Sequence, residues 1–445
     1  MEKNSDNKKG YLVLLTSVAA LGGLLFGFDI AIITGAAPFI KAHFDLNDLQ
    51  FGWGVGSLLL GCAFGALVSG RITDLYGRKS ILIIIAALFA VTSIMTGISV
   101  SFSMFVIARI LSGVAVGGAS TLSPMYISEI APSKVRGSLV SFYQLSIVIG
   151  ILISYLINYL LHDIGVNNWR WMFASGAAPS LVLLIMLAFV TDTPRFLYLK
   201  GKKEKALEVL ERIGGKELAK KEMDEIKKSI NGMPINFKML FTPSLKKVLM
   251  VGFFLAVLVQ LSGINTIIDY APKIFASAGW EIDAGLFATF GLGIVNFLST
   301  WVSIIIIDRF GRRPMYIIGS AGMTIALLGL TIIGLTGQFT GLKVLILIII
   351  FLIFFAAFVG PVFWTYMSEI FPNWIRGTAM SVPVFTQWVF NAIVVLAFPS
   401  MLTRLNTGIT FGILMLFALT QFIFSLKYMK ETKGKSLEEI EELWK

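Results

Sequence analysis

The chain is 445 residues long, 56% hydrophobic and only 14% charged, with a mean hydropathy of +0.82. So little polar surface cannot cover a water-soluble globule of that length, so most of the chain must face lipid and the soluble classes are excluded. The net charge of +11 would suit nucleic acid, but the cations fall on alternate loops between apolar stretches, so the basic balance reports membrane orientation and no nucleic-acid partner is expected.

A helical span needs about 20 apolar residues. The sequence offers twelve such stretches, at 11–35, 50–71, 80–99, 102–127, 138–161, 171–190, 248–275, 284–307, 315–336, 342–367, 378–401 and 408–428. Short alternating segments of the barrel type are absent, so the fold class expected is an all-α membrane protein with twelve transmembrane helices in two six-helix bundles and short cytoplasmic helices. The N-terminus runs into the first helix with no small-residue cleavage site, so that helix is expected to be retained. Cys62, the single cysteine, lies mid-span and excludes an internal disulfide, and His43 and His162 near span ends leave little material for a metal site. Residues 1–190 form the first bundle and 191–245 a cytoplasmic connector. Its stretch 195–230 is charged and helix-favouring, with Leu207, Leu210 and Ile213 on one face, and reads as short amphipathic helices. Residues 246–428 form the second bundle and 429–445 a cytoplasmic tail, where Ser436 to Glu439 resembles a capping box. The Lys/Arg-rich side carries both termini, which places them in the cytoplasm with the chain in a cell membrane.

Three motifs recur one six-helix half further on. Asp74-x2-Gly77-Arg78-Lys79 returns as Asp308-x2-Gly311-Arg312-Arg313. Ser128-Glu129-Ile130-Ala131-Pro132-x3-Arg136-Gly137 returns as Ser368-Glu369-Ile370-Phe371-Pro372-x3-Arg376-Gly377. Asp192-Thr193-Pro194-Arg195 is echoed more weakly by Glu431-Thr432-Lys433-Gly434. The charged motifs sit just inside the cytoplasmic face, where an acid can meet an arginine from the next helix. Asp74, Arg78, Glu129, Arg136, Asp308, Arg312, Glu369 and Arg376 are therefore expected to form a latch that pairs across the halves when the cytoplasmic side is closed. At an exposed site each pair would contribute about 0.2 to 1 kcal/mol; orientation and loop folding alone is the alternative role.

Polar side chains buried in lipid are costly and tend to face a cavity. The apolar spans contain Gln144, Gln260, Asn265, Asn296, Gln387 and Asn391, with Trp364 and Trp388 nearby. Amides donate and accept at once, which suits a ring of hydroxyls, and indole faces suit the C–H faces of a sugar. Helix-to-helix hydrogen bonding is the alternative for any single amide. Gly263 and Pro272 interrupt the seventh stretch and Gly360-Pro361 the tenth, so these positions are gate candidates or static kinks. The deepest ionisable residues are Asp29 and Arg109, each costing about 2.5 to 3.5 kcal/mol at mid-bilayer on an insertion scale. They are expected to pair, with burial and the guanidinium acting on the carboxyl in opposite senses, either as a proton-coupling pair or as a permanent ion pair. No nucleophile–base pair, metal spacing or phosphate loop speaks for an enzyme, and no cofactor is expected.

The doubled Gly-Arg-Lys/Arg loops, the Glu-x6-Arg-Gly repeats and Gln260-Leu261-Ser262-Gly263-Ile264-Asn265 together resemble the sugar-porter branch of the major facilitator superfamily. Ser123 to Glu129 and Val140 to Gln144 look most similar to bacterial xylose/proton symporters. The resemblance implies two six-helix bundles rocking about a central site. It places Phe26, Gln144, Gln260, Asn265, Asn296, Gly360, Trp364, Gln387 and Trp388 at the sugar-contact positions, and it associates an acid at Asp29 and an arginine at Arg109 with proton coupling. The implied activity is monosaccharide/proton symport by a monomer in a lipid bilayer, with the proton as coupling ion. A facilitator without proton coupling and a sugar-sensing receptor are the rivals; a receptor would be expected to carry a longer tail than 429–445. Two positions depart from the pattern: Val259-Gln260 stands where many members carry two glutamines, and Asp269-Tyr270 where they carry two tyrosines. Asp269, Tyr270, Pro272 and Pro361 are the gating candidates. For Asp269 the plain reading is an i,i+4 bridge to Lys273; contact to a polyol, an amino sugar or a second proton is the other.

Overall fold

Backbone polar groups have no partner in lipid, so each apolar stretch must satisfy its own N–H and C=O groups as a helix. The computed structural model describes residues 2–229 and 242–444. The part of the expected connector at 230–241 lies outside the described residues. Among the described residues twelve helices are long and apolar enough to cross a membrane. The first six are Gly10–His43, Leu49–Tyr76, Arg78–Gly97, Phe102–Ile130, Arg136–Leu161 and Asn168–Leu187. The second six are Leu245–Asp269, Phe287–Phe310, Arg312–Leu335, Gly341–Glu369, Asn373–Arg404 and Thr407–Tyr428. No strand occurs among the described residues.

Three spans open on side-chain caps. Asn47 forms a capping box with Gln50 before the second span, Ser101 accepts from Met104 N before the fourth, and Asn406 accepts from Ile409 N before the twelfth. The second and third spans meet at Gly77 (φ +96°) and the eighth and ninth at Gly311 (φ +96°), so the sequence repeat is also a repeat of backbone geometry. No L side chain adopts that angle readily. A Cβ at Gly77 would also lie 2.5 Å from Asp192 Oδ2. Gly77→Ala is therefore expected to destabilise the protein by about 1 to 3 kcal/mol, read as a lower Tm in detergent. Gly52→Ala, where a Cβ meets nothing within 4 Å, is the control expected not to lower it.

Glycine also sets how closely the spans approach. A methyl group on Gly61 or Gly113 would strike the carbonyl of Ile110 or Leu58, which locks the second and fourth spans backbone to backbone. Gly27 and Gly150 do the same between the first and fifth, against Ile147 and Leu24.

Three short helices follow the sixth span: Pro194–Leu199, Lys203–Gly214 and Lys216–Ser229. The buried face of the second is Ala206, Val209, Leu210 and Ile213, whereas Leu207 is 38% exposed. The expected face is thus rotated, because 206, 209, 210 and 213 follow the i, i+3, i+4, i+7 stripe and 207 does not. This helix docks on the start of the first span, with the Arg212 guanidinium 4.1 Å from the Tyr11 ring centroid. The tail ends in a helix at Leu437–Glu442, opened by a capping box of Ser436 with Glu439.

Candidate transport site

The central residues come from spans of both halves. Trp364 in the tenth span donates through Nε1 to Gln144 Oε1 in the fifth at 3.1 Å, and Trp388 in the eleventh donates to Ser120 Oγ in the fourth at 3.1 Å. Each indole thus reaches from one six-helix group to the other. Phe26 of the first span packs between them, its ring centroid 5.0 Å from Trp388 and 6.5 Å from Trp364. Tyr143 packs edge-on against Trp364 at 5.2 Å. In the seventh span Asn265 Nδ2 donates to Gln260 Oε1 at 2.9 Å. Gln387, Asn391 and Asn296 are buried, and their side-chain carbonyl oxygens have no hydrogen-bond partner among the described residues. Gln387 and Asn391 share the eleventh span with Trp388, so that helix carries two unpaired acceptors and an indole, a chemistry suited to hydroxyl donors.

The two broken spans border this cluster. Gly263 adopts φ +85° between Pro243–Leu261 and Ile264–Asp269, and Tyr270 separates the latter from Ala271–Ser277, where Pro272 lies in the first turn. In the tenth span a π-helical turn, Phe355–Val359, precedes Gly360–Glu369. Pro361 lacks the N–H that a regular helix needs, and the wide turn before it absorbs the irregularity. A Cβ on Gly360 would stand 3.6 Å from Gln144 Cδ, so the glycine leaves room at the cluster's edge. Tyr270 donates to Val395 O at 3.1 Å and so ties the seventh span to the eleventh. Asp269 does not make the expected bridge: among the described residues no ion pair joins it to Lys273. The i,i+4 geometry requires one continuous helix, and the backbone is interrupted at Tyr270 (φ −106°, ψ 14°).

One turn from Phe26 on the same helix, Asp29 Oδ1 pairs with Arg109 Nη1 at 2.8 Å, with side-chain exposures of 6% and 1%. Ser112 donates to the other carboxylate oxygen at 3.2 Å, and the guanidinium lies 5.3 Å from the Phe173 ring centroid.

The eight charged residues expected to form a latch come together at one end of the bundle, with two departures from expectation. First, they are not exposed. Arg78 with Glu129 and Arg312 with Glu369 pair at 2.8 Å each, with side-chain exposures of 2% or less, because the connector and tail cover them. The small energies of surface bridges therefore do not apply; removing one partner of a buried pair costs about 3 to 5 kcal/mol. Second, these strong pairs lie within a half, and four of the crossing bonds are accepted by carboxylates from backbone N–H groups. Asp74 accepts from Gly377 N at 3.2 Å and Thr378 N at 2.8 Å, at the start of the eleventh span. Asp308 accepts from Gly137 N at 3.0 Å and Ser138 N at 2.7 Å, at the start of the fifth. Each half thus caps a helix of the other, where unpaired N–H groups and the helix dipole favour a carboxylate. Arg376 reaches Glu129 at 3.6 Å, and Arg136 donates to Lys435 O at 3.0 Å but forms no ion pair among the described residues.

Several partners were not anticipated. Asp192 accepts from Arg78 N and Lys79 N, and Glu431 from Arg312 N and Arg313 N. Thr193 donates to Glu129 at 2.5 Å and Thr432 to Glu369 at 2.6 Å. The weak third repeat was the signal for these four. Arg195 pairs with Glu438 of the tail at 3.3 Å and Glu222 of the connector at 3.6 Å. Burial pushes the Glu438 carboxyl up, but Arg195 more than offsets this and holds it below the ordinary range. Ser120, Tyr143 and Ser112 carried no sequence signal, because mid-span serines and tyrosines most often serve packing.

A profile of the family described as "Sugar (and other) transporter" matches residues 15–444. The chain belongs to the Sugar (and other) transporter family. Its relatives in this family include the arabinose-proton symporter of Bacillus subtilis (strain 168), 37% identical over 449 residues that span 99% of this chain and 96% of that protein. The major facilitator superfamily proton:xylose symporter XylE bound to 6-bromo-6-deoxy-D-glucose superposes with a TM-score of 0.92 at 35% identity, covering 98% of this chain and 100% of that one. This sugar transporter family member is therefore an all-helical, multi-pass membrane protein with the major facilitator fold of two six-helix bundles. The inward open conformation of the xylose transporter XylE from E. coli matches at the same identity and coverage of both chains but with a TM-score of 0.75.

Proposed function

We propose that this chain is a secondary active monosaccharide transporter that moves a sugar together with a proton by alternating access. It works as a monomer in a cell membrane with both termini cytoplasmic, needs no cofactor besides the coupling proton, and leaves its cargo chemically unchanged. Residues 1–190 and 246–428 are the two rocking halves, joined by 191–245. The observation that carries this reading is on the first span, where Phe26 touches both indoles of the cage and Asp29, one turn away, holds Arg109. A proton taken up by Asp29 weakens the bond to Arg109 and frees the helix that seats the sugar, so proton and sugar act on one mechanical element. The names of the relatives, an arabinose-proton symporter and a proton:xylose symporter, support the same activity.

In this scheme Gln144, Gln260, Asn265, Asn296, Gln387 and Asn391 hydrogen-bond the sugar hydroxyls. Trp364, Trp388 and Phe26 stack on its C–H faces, and Gly360 leaves the space. The breaks at Gly263, Tyr270 with Pro272, and Pro361 let the seventh and tenth spans bend as gates.

Counterflow by purified protein in liposomes, across about a dozen monosaccharides and with or without a pH gradient, tests the reading. One or more sugars should exchange, and adding such a sugar should alkalinise the medium; exchange without alkalinisation would make the chain a facilitator. Gln387→Ala removes a hydrogen bond worth about 1 kcal/mol and should raise the half-saturating concentration roughly fivefold. Thr386→Ala, whose hydroxyl bonds only its own helix at Val382 O, should change it less than twofold.

A further inference from the structure

Hydroxyls on the spans commonly bond back to a carbonyl of their own helix, as Thr331 does to Leu327 O at 2.8 Å, Thr365 to Pro361 O at 2.9 Å and Ser381 to Thr378 O at 2.8 Å. Thr16, Ser123, Thr300 and Ser303 depart from this. They are buried, and their hydroxyl oxygens have no hydrogen-bond partner among the described residues. All four lie between the cage and the charged end of the bundle. Thr16 stands on the first span between Tyr11, which shares a hydrogen bond with Thr191 of the connector, and Phe26. Ser123 stands on the fourth between Ser120 and Glu129, and Thr300 and Ser303 on the eighth between Asn296 and Asp308.

The eighth-span pair shares a face with the cage. Ile282–Phe310 is one unbroken helix, so Asn296, Thr300 and Ser303 follow the i, i+4, i+7 stripe. That face points inward: Thr300 and Ser303 are fully buried, whereas Leu298, Val302 and Ile305 on the opposite side are exposed. The Asn296 carbonyl oxygen is unpaired as well. Three unpaired polar groups thus form a row about 10 Å long that starts at the cage and runs toward the charged end. The fifth span, from the other half, packs beside the row, with Ser138 donating to Ile304 O at 2.8 Å and the Phe142 ring centroid 6.5 Å from that of Trp301. In this closed form each orphan hydroxyl is a cost, because it has given up water without gaining a partner. Parting of the fifth span from the eighth uncovers the row and lets a ligand supply the partners.

We propose that Thr300 and Ser303 form a second sugar station beyond the cage, which meets the hydroxyls of the cargo in turn as it leaves Asn296 through the charged end. The proposal rests on the sugar-transport reading, which places that end in the cytoplasm, and deepens it by naming an exit site for a neutral, hydroxyl-rich ligand. A hydroxyl donates, accepts and rotates to suit, so the row passes a sugar along without a charge that would hold it. The station is open only when the halves part at that end, so binding from the outer side does not sense it.

The test compares half-saturating concentrations for exchange from the two sides, in right-side-out and inside-out membrane vesicles holding the full-length protein. The probe is whichever of D-xylose, L-arabinose and D-glucose the wild type exchanges fastest. Each hydroxyl hydrogen bond corresponds to a roughly fivefold change in affinity. Thr300→Val combined with Ser303→Ala should therefore raise the cytoplasmic-side value at least tenfold and alter the outer-side value less than twofold. The same double variant should raise the Tm in detergent, because the closed form sheds two unsatisfied buried groups. Thr300→Ser, which keeps a hydroxyl, should retain the wild-type values. Thr331→Val, whose hydroxyl serves its own helix, should change neither concentration and should not raise the Tm. An unchanged cytoplasmic-side value in the double variant overturns the station. An equal rise on both sides also overturns it and assigns the hydroxyls to the cage, a matching fall on the outer side assigns them to the balance of conformers, and a lower Tm assigns them to packing. Failure of all three sugars to exchange with the wild type would overturn the transport reading itself and is distinguishable from these results.

Discussion

Asp29→Asn is expected to abolish uphill accumulation of sugar while leaving exchange intact. One proton entering down a 100 mV potential supplies about 2.3 kcal/mol, and each tenfold concentration ratio needs about 1.4 kcal/mol, so one-to-one coupling sustains a ratio of roughly fifty at that potential. The asparagine variant should level off at a ratio of about one. Its side chain has nearly the same shape and still offers an oxygen to Arg109 and Ser112, which now stand at 2.8 and 3.2 Å from the carboxylate. The contacts of Phe26 with Trp388 and Trp364 do not involve the carboxylate, so the cage should still bind and turn over. Counterflow, which needs binding and alternation but no net driving force, should therefore persist. The two assays on one preparation separate a coupling defect from a folding defect. Undiminished accumulation by the variant, with the membrane potential intact, would show that Asp29 and Arg109 are a permanent ion pair and that the coupling proton is held elsewhere.

The fold was legible because it follows from one-dimensional signals. Twelve apolar runs, cations on alternate loops and three repeated motifs need no knowledge of contacts. The buried amides were legible for a similar reason: Gln144, Gln387 or Asn391 in an apolar span has a desolvation cost that calls for an explanation. What was not legible depends on burial and on backbone breaks. The latch residues flank loops and so looked exposed, but Arg78 and Arg312 are covered by connector and tail segments far along the chain. The crossing bonds from Asp74 and Asp308 go to backbone N–H groups, and no side-chain pattern marks a helix start as an acceptor's target. Ser120 could not be distinguished from a packing serine until Trp388 was seen to donate to it. The Asp269–Lys273 bridge failed because spacing predicts contact only along an unbroken helix, and Tyr270 ends one segment there.

Removing both crossing carboxylates, as in Asp74→Asn with Asp308→Asn, should move the protein toward the form open to the cytoplasm. Each carboxylate takes three hydrogen bonds from the opposite half: Asp74 from Gly377 N, Thr378 N and Thr378 Oγ1, and Asp308 from Gly137 N, Ser138 N and Ser138 Oγ. A hydrogen bond to a charged acceptor contributes about 1.5 to 3 kcal/mol. An amide of the same size keeps one acceptor oxygen but turns an NH2 toward backbone donors, so a loss of about 2 kcal/mol per site is a modest expectation. Two sites then give about 4 kcal/mol, close to a thousandfold change in the ratio of closed to open forms. Either site alone should give a change nearer thirtyfold, because the two caps lie at different helix starts and share no partner. Arg78 with Glu129 and Arg312 with Glu369 lie within a half, so they are expected to survive separation of the halves and to hold each cap in place without favouring either state. Ser381→Cys provides the reporter. Ser381 is buried against Gly70 between the second and eleventh spans, while Cys62, the native thiol, is fully buried and inert. Maleimide labelling of Cys at 381 should accelerate by at least a hundredfold in the double variant, and sugar binding from the outer side should weaken in step. An unchanged labelling rate would mean that the charged network fixes the loops alone and leaves the balance between the two forms to the packing of the spans.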